Sequence, residues 1–183
     1  KYKDEHPDSN YRYDVISNEA LVIGNAQSVR AAVALIKYFN NREDATKRML
    51  AVYEYNRFHW DFSPSKAILE YFEKAENDFS AEAKEKLDNI SSLPFYEMVE
   101  TFFSIHSDVL DEKENVYVQA FLDIVLKFST ESSSNANDFV EWWEEKGCKK
   151  TLFSPDNQDA IRLMTIHKSK GLGFNAVVLP FLN

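Results

Sequence analysis

The sequence predicts a mostly α-helical protein with a small amount of β-structure near its two ends. Three observations carry that expectation. Glycine and proline are sparse, at four and five of 183 residues, so long stretches run without a breaker. The middle of the chain repeats apolar side chains at i, i+3, i+4 and i+7, the period of a half-buried helix. Near the ends the runs are instead β-branched and aliphatic, A-I-R-L-M-T-I at 160–166 and A-V-V-L-P at 176–180, as buried strands are. With 44% hydrophobic and 14% aromatic residues, a packed core is expected rather than disorder.

Residues 1–10 are polar and carry His6-Pro7, an extended start. Residues 11–16 alternate enough for a strand, and Ser17 or Asn18 can cap a short turn through Leu21. Asn25 reads as the N-cap of a helix to about Phe39, with Val29, Ala32, Val33, Ile36 and Phe39 on one face. A helix over 43–58 places Met49, Leu50, Tyr53 and Arg57 together. Ser63-Pro64 starts another, carrying Ile68, Leu69 and Phe72, because Pro at the first helical position loses no needed N–H. Ser80 opens the next, through Ala83 and Leu87 to Ile90. Pro94 precedes Phe95, Met98, Val99, Phe102 and Phe103 at helical spacing. Residues 116–128 give Val118, Phe121, Leu122, Val125 and Phe128. A polar loop at 129–137 leads to a short helix over 138–146 with Phe139, Trp142 and Trp143, closed by Gly147.

The net charge of −9 argues against a domain that coats nucleic acid indiscriminately. The balance reverses locally: residues 146–170 hold six Lys/Arg (Lys146, Lys149, Lys150, Arg162, Lys168, Lys170) against Asp156 and Asp159. For 146–150 the plain alternative is a solvated face. Cys148 is alone and forms no internal disulfide, which suits a cytoplasmic protein. No apolar run has the length to span a bilayer and no signal peptide opens the chain, so no membrane partner is expected. The chain starts at Lys1 without Met and ends just after a strand-like run, as a piece of a longer polypeptide would.

The densest chemistry lies at 165–174, T-I-H-K-S-K-G-L-G-F, between the two strand-like runs. A hydroxyl, an imidazole, two ammonium groups and two glycines can bring N–H groups and cations to an anionic ligand. The bland alternative is a polar surface turn. The string resembles motif V of UvrD/Rep-type superfamily 1 DNA helicases, T-x-H-x-x-K-G-L-E-F, and departs from it only at Gly173, where the family has Glu. The resemblance implies that Thr165, His167, Lys168 and Lys170 face single-stranded DNA, with Gly171 as the permissive turn. It also implies that positions 171 and 173 couple that grip to nucleotide state. Gly173 has no side chain to hydrogen-bond the ribose of ATP, as the family's Glu is understood to do. V-I-S-N-E-A-L-V-I, Q-S-V-R-A-A-V-A-L-I-K-Y-F and F-V-E-W-W-E-E are similar to segments flanking the helical insertion in the RecB/AddA-like helicase–nuclease branch.

The resemblance implies a fold class: a mostly α chain whose helical insertion is attached to a small partial α/β (RecA-like) sheet. Its expected parts are the N-terminal part of the second motor domain at 1–41, a helical insertion of 2B type at 42–155, and a return to the motor domain with motif V at 156–183. Strands at 11–16, 160–166 and 176–180 would share one sheet. The parent would be an ATP-dependent DNA helicase using ATP and Mg²⁺, acting on single-stranded or duplex-junction DNA, with a partner subunit if it is a helicase–nuclease. This chain has neither the G-K-[ST] loop nor the acidic pair that such a motor needs, so alone it is expected to bind no cofactor and hydrolyse no ATP. The other reading is a helical protein-interaction module of a degenerate, non-motor helicase-like protein, which Gly173 favours. The histidines (His6, His59, His106, His167) form no i, i+4 pair, and with one cysteine a zinc site is not expected. The aromatics at helical spacing are expected in the core rather than stacked on bases.

Overall fold

A computed structural model describes residues 15–17, 21–59, 78–152 and 161–179. The fold is mostly helical. Among the described residues there are seven α-helices: α1 (Gln27–Asn40), α2 (Ala45–His59), α3 (Ala81–Ser91), α4 (Phe95–Ile105), α5 (Glu112–Glu131), α6 (Ala136–Glu145) and the one-turn α7 (Ile166–Ser169). Two short strands, β1 (Val15–Ser17) and β2 (Ile161–Leu163), pair in parallel, with Val15 opposite Ile161 and Ser17 opposite Leu163.

Local chemistry fixes most helix starts. Asp44 Oδ1 accepts from the N–H groups of Thr46 and Lys47 at 2.9 and 3.1 Å, so the second helix begins at Ala45, later than 43. Ser80 Oγ accepts from Ala83 N, Asp111 Oδ1 from Glu114 N, and Asn135 Oδ1 from Asn137 N. Each such cap is worth about 1 kcal/mol. Asn25 does not cap α1; it ends a 3₁₀ turn (Ile23–Asn25), and Ala26 takes the cap position without a side-chain bond. That N-terminus is satisfied from a distance, because Glu114 of α5 accepts from both Ser28 N (3.1 Å) and Ser28 Oγ. The expected loop at 129–137 is shorter, since α5 runs to Glu131 and α6 starts at Ala136. The expected helix with Ile68, Leu69 and Phe72 lies outside the described residues.

The chain divides into two compact units: Lys1–Ala20 with Phe153–Asn183, and Leu21–Leu152. α1 lies in the second of these units, where its Val29 and its run from Ala31 to Ile36 are all buried. A helix apolar all round is stable only when surrounded, and α1 packs against α2, α5 and α6.

The core of the Leu21–Leu152 unit is aromatic. Phe121 and Phe139 are completely buried, and Phe139 meets Phe95, Phe128 and Trp143 with ring centroids 5.0–5.8 Å apart. Phe102, Phe103 and Trp143 are buried there too, as expected for structural rather than base-stacking rings. The face expected to gather Met49, Leu50, Tyr53 and Arg57 is the outer one: Met49 and Leu50 are exposed, while Ala51, Val52, Glu54, Tyr55 and Phe58 are buried.

The two segments by which the chain enters and leaves this unit lie side by side as a neck. Ile23 N donates to Lys150 O and Leu152 N to Leu21 O, both at 2.8 Å, around an antiparallel bridge between Val22 and Thr151. Gly24 lets them close: a Cβ there would sit 2.8 Å from the carbonyl oxygen of Cys148. Among the described residues, no helix is long and apolar enough to cross a membrane.

The third expected strand is not formed where it can be seen. Residues 176–179 are irregular, with Val177 and Val178 strongly exposed, and Pro180 lies outside the described residues. An aliphatic run of this kind becomes a strand when neighbours satisfy its backbone and cover both faces, and no described strand lies beside it. The expected 160–166 strand is trimmed to Ile161–Leu163 because Thr165 turns the chain into α7; Ala160 lies outside the described residues. Of the expected 11–16 strand, Val15 and Ile16 are in β1 and the remainder lies outside the described residues.

Candidate nucleic-acid interface

Behind β2 the chain makes one helical turn and reverses. Thr165 is extended and sits at the N-cap of α7, its Oγ1 accepting weakly from Lys168 N at 3.4 Å. Its carbonyl accepts from the N–H groups of Lys168 (3.0 Å) and Ser169 (3.1 Å). Ser169 Oγ donates back to the carbonyl of Ile166 at 2.9 Å, and Leu172 N donates to Ser169 O at 3.0 Å. Gly171 has φ of 85°, the left-handed conformation in which a side chain is disfavoured. It releases the chain from the turn.

This turn places Thr165, His167, Lys168 and Lys170 within six residues, and all four are exposed. The cations and the imidazole stand out from the backbone instead of entering a core. Such a set can make charge-assisted hydrogen bonds to phosphate oxygens, contacts that position a strand without reading its sequence. Gly173 is also exposed, and a Cβ built on it meets no atom within 4 Å, so the position has room for a longer side chain. Among the described residues no group of three His, Cys, Asp or Glu could hold a metal ion.

α7 stands where a strand end and a polar turn are expected, and Thr165 before four helix-compatible residues is the cap signal for it. Ser169, absent from the expected site residues, braces the turn beside the exposed cations. Its hydroxyl lies three residues after the carbonyl it bonds, a pattern common in helical turns.

Residues 39–183 match the family model described as UvrD-like helicase C-terminal domain. Neither the curated proteins nor the solved structures compared with the chain gave a match.

Proposed function

Because the chain belongs to the UvrD-like helicase C-terminal domain family, we propose that it serves as part of the second motor domain of an ATP-dependent DNA helicase. In this reading Lys1–Ala20 and Phe153–Asn183 belong to a RecA-like motor domain, and the Leu21–Leu152 unit contains the 2B-type insertion. The exposed 165–170 turn grips single-stranded DNA. The observation that carries the proposal is the joint display of Thr165, His167, Lys168 and Lys170 on one solvent-facing turn within a chain of net charge −9.

Lys168 and Lys170 contribute charge-assisted contacts to the phosphodiester backbone, and His167 adds a donor. Thr165 and Ser169 hold the turn in shape, and Gly171 lets the chain leave it. Such contacts are indifferent to sequence, as movement along a strand requires. Helicases of this kind use ATP as their energy source, with Mg²⁺ to neutralise its phosphates. This chain's residues do not fit that group by themselves, since the sequence contains no G-K-[ST] loop and Gly173 offers no side chain to a ribose. The isolated chain is therefore expected to hydrolyse no ATP. A RecB/AddA-like parent with a nuclease and a partner subunit is the branch that the flanking segments favour.

The test is strand binding and unwinding by Lys170→Ala and His167→Ala in the whole enzyme. Both variants are expected to weaken single-strand binding and slow unwinding. Full unwinding by both would reject the assignment. A second reading, a helical interaction module on a non-motor relative, is favoured by Gly173; DNA-independent partner binding with no strand affinity would select it.

A further inference from the structure

The neck turn carries a second set of cations. Lys146, Lys149 and Lys150 are all exposed, and among the described residues none of them forms an ion pair. Elsewhere in the same unit Lys37, Lys47, Lys84, Lys86 and Lys127 each pair with a carboxylate, and Lys113, exposed between Glu112 and Glu114, is a single cation rather than a cluster. The closest acidic neighbours in sequence are on α6: Glu144 is taken by Lys37 at 2.7 Å, and Glu141 and Glu145 form an acidic rim upstream.

The turn beneath these lysines is fixed. Residues Gly147–Lys149 form a 3₁₀ turn, Lys150 O accepts from Ile23 N at 2.8 Å, and Cys148 packs against Gly24. The Lys150 ammonium stands 5.9 Å from the ring centroid of Trp142, a half-buried indole. Cations presented from a rigid backbone lose little conformational freedom on binding. Open, unpaired cations beside an aromatic ring suit a polyanion, which gains from counterion release at each neutralised charge.

We infer that Lys146, Lys149 and Lys150 form a second contact for the phosphodiester backbone of DNA, on the neck of the helical unit. The inference rests on the DNA-translocation reading given above, and it names a surface separate in sequence from the 165–170 turn. Binding of a fluorescein-labelled oligothymidylate to the chain, measured by anisotropy over a series of KCl concentrations, tests it. The triple variant Lys146→Gln/Lys149→Gln/Lys150→Gln is expected to lower the slope of log affinity against log salt by about 2, from roughly 0.7 per phosphate contact. The triple Lys→Arg variant should keep the parent slope. Lys146→Gln/Lys149→Gln, which leaves the Lys150–Trp142 contact in place, should lower it by roughly 1.4.

A Lys168→Gln/Lys170→Gln variant separates this inference from the reading beneath it. If that variant loses affinity while both neck Gln variants keep the parent slope and affinity, the neck contact is overturned and the turn's role stands. If the neck variants lose slope and the turn variant does not, the neck contact stands alone. An unmodified chain with no affinity for the oligonucleotide overturns both.

Discussion

Tyr55 Oη lies 3.0 Å from Nε2 of His106 and joins α2 to α4 inside the aromatic core. The other imidazole nitrogen fixes the direction of that bond. Nδ1 is 2.8 Å from the carbonyl of Phe102, which can only accept, so Nδ1 carries the proton and Nε2 accepts from the tyrosine hydroxyl. Burial, with help from Glu82 and Asp108, pushes the Tyr55 phenol up to about 12. Tyr55→Phe would strand a buried acceptor and is expected to cost about 1–3 kcal/mol. Chemical denaturation read by tyrosine-independent circular dichroism measures that loss, and an unchanged midpoint would remove the bond from the stability account.

The same imidazole gives stability a pH dependence. Burial lowers the His106 pKa first of all; the charges of His59 and Lys86 lower it further, opposed by the Phe102 bond and Asp108. A depressed pKa means that the unfolded chain binds this proton more readily than the folded one. The contribution is fully present above the unfolded value near 6.5 and fades as pH falls from there through the folded value. Melting temperature should therefore decline from neutral pH toward pH 5, and His106→Gln should flatten that part of the curve. An equal decline in the variant would assign it to other groups.

Glu114 is expected to be a stabilising residue, and its place in the first turn of α5 favours a negative charge as well. Its carboxylate takes both donors of the buried Ser28 at the N-terminus of α1, where negative charge is also favoured by the helix dipole. Glu114→Ala leaves a buried hydroxyl and an N–H without a partner and should cost about 1–3 kcal/mol. Ser28→Ala with Glu114→Ala should cost less than the sum of the two single changes. A double-mutant cycle reads that coupling.

Glycine 173 should accept glutamate without loss of fold. The space around its position is open, and the side chain would enter solvent. Gly173→Glu is expected to leave the thermal midpoint unchanged, within about 0.5 kcal/mol. In the whole enzyme it should tighten nucleotide binding if the ribose contact is what Gly173 lacks. Unchanged nucleotide affinity would show that the departure is compensated elsewhere.

Much of this fold was legible because its causes are local. Ser80 and the apolar spacing from Phe95 to Phe103 set α3 and α4 within a few residues of where they were expected. Long-range causes were not legible. α2 is apolar on more than one side, and its orientation is decided in part by Arg30 of α1, which pairs with the buried Glu54. Met49 and Leu50 are left outside in consequence. The Tyr55–His106 bond joins residues 51 apart, beyond any periodic signal. At the candidate interface the residue types were legible and the one-turn helix that displays them was not. Pairing of β1 with β2 depends on the chain returning after the whole helical unit, so only the strand character of each could be read in advance.

The ladder linking Leu21 to Leu152 gives the helical unit the anatomy of a cassette. Its points of entry and exit are hydrogen-bonded neighbours at 2.8 Å, so bridging them with a few glycines adds little closure entropy. Circular permutation is then open to it: with new ends cut into the 132–134 connection between α5 and α6 and the old ones joined, the helices should refold in their present order around α1.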